Sequence, residues 1–128
     1  MNLLPLLLQV ASVLTLSNSE ATTHVRNPSP TEAVRITIEL RHAVQVGSTV
    51  TLGREVVALV APSRFTLAPG EDQTVRIRLR ESVPSGTVLR LVTVFTPTAV
   101  DAPAQGSETT AVARLVTVIR LITKVEVR

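Results

Sequence analysis

The sequence predicts an all-β chain: an antiparallel sandwich of two layers packed over an aliphatic interior. Three observations predict it. Apolar and polar residues alternate with a period of two along much of the 128-residue chain, the signature of strands with one face on a core and one in water. Clusters of Pro, Gly, Asn and Ser recur between the alternating runs. The interior has to be built from Val, Leu and Ile, because Phe65 and Phe95 are the only aromatic residues and there is no Trp, Tyr or Cys. Val and Ile are stiff at χ1 and suit pleated, half-buried surfaces. The length is that of one ordinary domain, so residues 1–128 are read as one unit.

The elements follow in order. The first nineteen residues carry no charged side chain. Their apolar run admits two readings: residues 1–21 hold a first strand near 7–16, or they are a signal peptide with Ser19-Glu20-Ala21 as a small-x-small cleavage site. An internal echo speaks for the strand. Leu14-Thr15-Leu16-Ser17-Asn18-Ser19-Glu20 lines up with Phe65-Thr66-Leu67-Ala68-Pro69-Gly70-Glu71, both reading as apolar strand, turn and polar entry to the next strand. Pro5, Gln9, Ser12 and Ser17 interrupt the run, so no stable membrane span is expected. A strand at 21–26 precedes the Asn27-Pro28-Ser29-Pro30 loop. Residues 33–41 then alternate without fault. Gly47-Ser48 and Gly53-Arg54 mark bends around a weak strand near 49–52. An apolar strand at 55–60 follows, with an extension near 64–67. Ala68-Pro69-Gly70-Glu71 has type II turn chemistry. Residues 73–80 alternate again, Val83-Pro84-Ser85-Gly86 is a second such turn, and 87–95 is apolar on both faces. Residues 96–110 read as a hairpin loop, and 111–127 as one long final strand. About seven strands in one domain is the immunoglobulin-like count.

Composition narrows the chemistry. Without Cys, disulfides, thiolate metal sites and Cys nucleophiles are excluded. The net charge of +3, carried by Arg with Lys124 as the single Lys, does not call for a polyanion. The stripe Arg76, Arg78, Arg80 has no interleaved aromatic residue on which bases could stack, so it reads as the wet face of a strand, paired to groups such as Glu20 on a neighbour. No nucleic-acid partner is expected. His24 and His42 have no local ligand at metal-binding spacing, so no metal and no cofactor is expected. There is no Gly-x-Ser-x-Gly elbow and no phosphate-cradling glycine loop, and the chain is read as a non-enzyme.

Three segments carry a resemblance. Val25-Arg26-Asn27-Pro28-Ser29-Pro30, followed by an alternating strand, is similar to the passage after the second strand of periplasmic pilus-assembly chaperones. The stretch from Pro62 through Phe65, Leu67, Pro69, Gly70, Gln73 and Val75 to Ile77 resembles the P-x-x-F-x-L-x-P-G-x-x-Q-x-V-R-I pattern of that family's N-terminal domain. Residues 88–97, ending in Phe95-Thr96-Pro97, look like the strand after it. Related wording occurs in major-sperm-protein-like domains. The resemblance covers roughly residues 10–125 and implies an immunoglobulin-like fold, a periplasmic or extracellular location, and a protein partner such as a pilin-like or surface subunit.

In that family the last strand is inserted beside the subunit, where main-chain bonds supply affinity and alternate apolar side chains fill pockets. A basic pair, Arg on the first strand and Lys on the last, anchors the subunit's terminal carboxylate. On this chain the resemblance implies Leu115, Thr117, Ile119 and Leu121 as the partner-facing row, with Lys124 as the anchor. The first arginine here is Arg26, at the end of the second strand, so the arginine of that pair has no counterpart. The alternative reading is a structural immunoglobulin-like domain of a secreted or surface assembly, with the last strand simply buried.

Overall fold

Two tight turns set the layers. In the computed structural model, which describes residues 13–98 and 118–128, Asn18 and Ser19 both adopt positive φ, at 55° and 66°. Ser17 and Glu20 exchange both backbone hydrogen bonds across them, at 3.0 and 3.1 Å. This is type I′ hairpin geometry, which Asn tolerates better than most residues. It delivers strand β1 (Val13–Leu16) into strand β2 (Glu20–Arg26). At Pro69-Gly70 the glycine has φ 75° and the Glu71 N–H donates to the Ala68 carbonyl at 3.0 Å, the expected type II turn. The two echoing segments do the same job. β1 and β6 (Arg64–Leu67) lie in one sheet, and β2 and β7 (Asp72–Leu79) lie in the other. Leu16 and Leu67, at matching places in the echo, are both buried where the chain crosses between sheets.

Nine strands are seen among the described residues, one more than the eight runs read from the sequence. The larger sheet has the order β1-β9-β8-β3-β4, with β6 also on β3, and the smaller one has the order β2-β7-β5. Strand β3 (Val34–Val46) pairs with β8 (Val88–Pro97) over residues 34–42. Strand β9 (Ile119–Val127) pairs with β8 from Phe95↔Ile119 to Val88↔Glu126. The run expected as one strand at 55–60 with an extension is divided between the sheets. Glu55 ends β4 (Thr49–Glu55), β5 (Ala58–Ala61) joins the smaller sheet, and β6 returns to β3. Pairing is antiparallel except between β1 and β9, which run parallel from Val13↔Lys124 to Leu16↔Val127. The antiparallel sandwich is as expected, and β1 adds one parallel pair at the edge of the larger sheet, where the strand beside it runs the same way.

The core is the aliphatic interior that the composition demanded. Ile36, Ile38, Leu40, Leu89, Leu91 and Val125 face it from the larger sheet, and Val25, Val75 and Ile77 from the smaller one. The wet face of β7 is as expected: Arg78 lies opposite Glu20, with Nε 3.4 Å from its Oε2.

One buried residue was not anticipated. Asn27 is fully buried where β2 ends. Its Nδ2 donates to the carbonyls of Glu32, Leu67 and Ala68 at 2.7, 3.2 and 3.1 Å, and its Oδ1 accepts from the Ser29 N–H at 3.0 Å. Its backbone also bonds the Glu71 carbonyl and the Gly70 N–H. The loop after β2 is thereby fastened to the β6–β7 turn.

A polar node closes the opposite end. A bulge places Gly53 and Arg54 of β4 opposite the single residue His42 of β3. A Cβ on Gly53 would lie 2.8 Å from Val44 Cγ2, so only glycine fits without a shift. The bulge turns Arg54 across to Glu81, which it grips with two hydrogen bonds of 3.1 and 2.8 Å. The Val57 N–H donates to the same carboxylate at 2.8 Å, and His42 Nε2 lies 3.5 Å from it. The Arg54 hydrogen bonds, then that of Val57, hold the Glu81 carboxyl down at about 2, against an ordinary value of 4.5. A folded-state value below the unfolded one means that the contribution is complete above pH 4.5 and is lost as pH falls toward 2. Thermal melts from pH 6 to 2 are expected to show a fall across that window that Glu81→Gln lacks; parallel curves for the two proteins would contradict the assignment.

Candidate functional site on the last strand

The last strand is positioned by its ends. The Val127 N–H donates to the Thr87 carbonyl at 3.0 Å, the Gly86 N–H donates to the Val127 carbonyl at 2.7 Å, and the Arg128 N–H donates to the Leu16 carbonyl at 3.0 Å. The turn at Pro84-Ser85-Gly86, with φ 93° at Gly86, thus clamps the end of β9 between β8 and β1. From that clamp one face of β9 runs outward. Val127 and Val125 are buried in the core, Thr123 and Leu121 are half-buried, and Ile119 is 43% exposed. Beside it Val118 is exposed, and on the other face Ile122 is also exposed.

Of the five residues implied as partner-facing, Ile119 and Leu121 lie on this row. It is the same row that fills the core further along, so burial fades along one face rather than switching between faces. Leu115 and Thr117 lie outside the described residues. The neighbour on one side of β9 is β8 throughout; on the other side β1 covers Lys124 to Val127. Among the described residues, Ile119 to Thr123 have no strand on that side.

Lys124 points to the outer face, half-exposed, with Nζ 4.0 Å from Glu126 Oε2. Sequence reasoning offered it no arginine neighbour, and the register supplies one. Arg90 of β8 lies directly opposite Lys124, and Arg41 of β3 lies opposite Arg90. Arg41 is engaged, donating to Glu39 at 3.0 Å and to the Gly53 carbonyl at 2.8 Å. Arg90 donates to the Leu89 carbonyl of its own strand at 3.2 Å. Like charges directly opposite repel, so this row favours an anion laid across it. The signal for Arg90 is tertiary: nothing in the local sequence says that β8 and β9 are neighbours in this register.

Among the described residues no group of three or more His, Asp or Glu is placed to hold a metal ion. No helix among them is long and apolar enough to cross a membrane. His24, read as facing water, is exposed on β2 with Nδ1 3.2 Å from Thr74 Oγ1.

The comparisons place this architecture. A chain in the Salmonella enterica complex of SafA pilin with the SafB chaperone superposes with a TM-score of 0.60 at 19% identity, over 92% of this chain and 51% of that one. The Escherichia coli chaperone DraB gives 0.58 at 16% identity, over 91% and 50%. The fold is the immunoglobulin-like sandwich found in pilus chaperones. A chain in the Acinetobacter baumannii CsuC–CsuE chaperone–tip subunit pre-assembly complex also matches at 0.58, with 10% identity over 93% and 50%. The protein spans about half the length of each of these chains. No protein-family model and no curated protein sequence matches.

Proposed function

We propose that this chain is a chaperone-like binding module, without catalytic activity, that holds an extended segment of another protein by strand addition along β9. The supporting observation is the graded row Val125, Thr123, Leu121, Ile119. It is rooted in the core at one end and emerges apolar at the other, beside a stretch of backbone without a neighbour on one side among the described residues. A strand added there gains main-chain hydrogen bonds and places alternate side chains against the emerging row. Leu115 and Thr117 would extend this row. Lys124, with Arg90 opposite, is the place for a carboxylate at the end of the added segment. The fold shared with chaperone chains from pilin and adhesin complexes supports a protein partner, and with it a periplasmic or extracellular setting.

The test is a synthetic peptide of alternating Val and Ser residues, made with a free or an amidated C-terminus, with binding read by fluorescence anisotropy. Ile119→Asp, which buries an unpaired charge in the bound state only, is expected to weaken binding on the order of 100-fold while the unbound chain still melts cooperatively. Lys124→Ala is expected to weaken the free-acid peptide about 10-fold and leave the amide unchanged. Equal binding by Ile119→Asp and the parent chain would overturn the reading.

A further inference from the structure

The opposite edge of the larger sheet carries a second, independent surface. Strand β3 is paired with β8 only as far as His42. Beyond it β3 continues with β4 alone, through Ala43↔Leu52, Val44↔Thr51, Gln45↔Val50 and Val46↔Thr49. Gly47, with φ 62°, leads the two-residue turn that closes this ribbon. Apolar side chains stand on both of its faces. Val46 is 62% exposed, and Val44 and Val50 are each 43% exposed. A two-stranded ribbon alone is marginal in water, and β4 ends the sheet with one side unpaired among the described residues.

Edges of this kind are ordinarily guarded by a charge, a proline or a bulge. From Ala43 to Gly53 the chain has eleven residues with no charge and no proline. The bulge comes only at Gly53 and Arg54, and there Arg54 is engaged by Glu81. The accessible edge is therefore residues 49–52.

We infer that β4 pairs antiparallel with β4 of a second copy of this chain, about a twofold axis that passes beside Val50. Charge selects the occupant. A segment without charge offers a different chain nothing to complement electrostatically, whereas two copies bring no like charges together. In this register Val50 lies opposite Val50 of the second copy and Thr49 opposite Thr51 of the second copy. The nearest charge, Arg54, lies beyond the paired stretch. The two ribbons become one four-stranded sheet, with Val44, Val46 and Val50 covered in part. The contact is small, so the dimer is weak and exchanging.

Sedimentation equilibrium of the whole chain between about 5 and 500 μM reads this directly, a range suited to a small interface. The mass is expected to rise from 13.7 kDa toward twice that value as concentration increases. Val50→Lys, which puts a guarding charge on the edge, is expected to stay monomeric throughout with an unchanged melting temperature. Ile122→Lys, on β9, is expected to associate like the parent. Amides of residues 49–52 should gain exchange protection with concentration. A parent chain that stays monomeric at the top of the range would overturn the inference, as would a Val50→Lys protein that associates equally well. Association abolished by Ile122→Lys and not by Val50→Lys would move the contact to β9. Protection of residues 49–52 only when a different chain is added would give the edge to that chain; either result overturns the inference.

Discussion

Asn27→Ala is expected to lower the stability of the fold by about 3 kcal/mol or more in urea-induced unfolding. The side chain is fully buried and satisfies three carbonyl oxygens and one N–H in a place where the chain makes no regular ladder. Truncation removes a partner from each of those groups, although the Ala68 carbonyl keeps the Glu71 N–H, and each buried group left unsatisfied costs roughly 1–3 kcal/mol, less where water follows the lost amide into the gap. Asn27→Asp separates the amide's two roles. It keeps the acceptor for Ser29 and replaces the donor with an anion facing the oxygens of Glu32, Leu67 and Ala68, so it is expected to be no better than alanine. Loss of less than about 1 kcal/mol in both variants would show that the loop and the β6–β7 turn hold each other without this amide.

What the sequence discloses about this fold depends on whether the cause is local. Strands β3 and β7 were evident because alternation is written residue by residue: Val75 and Ile77 point in, Arg76 and Arg78 point out. The turn at Pro69-Gly70 was evident because only a few residue pairs suit its backbone. The echo between residues 14–20 and 65–71 marked two crossings between sheets, although alternation alone could not say that sheets change there. Choices of neighbour were hidden. Nothing near Val13 says that it will lie beside Lys124 in parallel, and nothing near Arg90 says that two other cations flank it.

The candidate site shows the same division. The apolar character of the last strand was plain, and Ile119 and Leu121 were named from it. Which stretch of that row is covered depends on how far β1 reaches along the edge, which is a tertiary fact. Glu81 and His42 gave no signal, because their meeting requires the bulge at Gly53 to turn Arg54 toward the other sheet. Asn27 gave a partial one: Asn before Pro and Ser is an Asx-turn pattern, and its Oδ1 does accept from Ser29. The three carbonyls that bury it arrive from later in the chain, two of them some forty residues on.

Ile77→Ala carries an effect of similar size for the opposite reason, since it removes only hydrocarbon. Ile77 is 1% exposed on β7, the central strand of the smaller sheet, opposite Ala21 of β2 and Val60 of β5. Deleting three carbons there loses their transfer free energy and leaves a void that a close-packed interior closes only in part, a total of about 2–5 kcal/mol. The smaller sheet sets where in that range it falls. It has three strands against six, so fewer side chains are free to move inward from its side. The loss is therefore expected above about 3 kcal/mol, and Ile77→Val, which keeps the branched shape on the pleat, is expected to cost about 1 kcal/mol. Equilibrium unfolding of both variants measures the two values together. Near-equal, small losses would mean that the two sheets slide to close the gap, and that the sandwich is held by its polar ends at Asn27 and Glu81 more than by the packing between them.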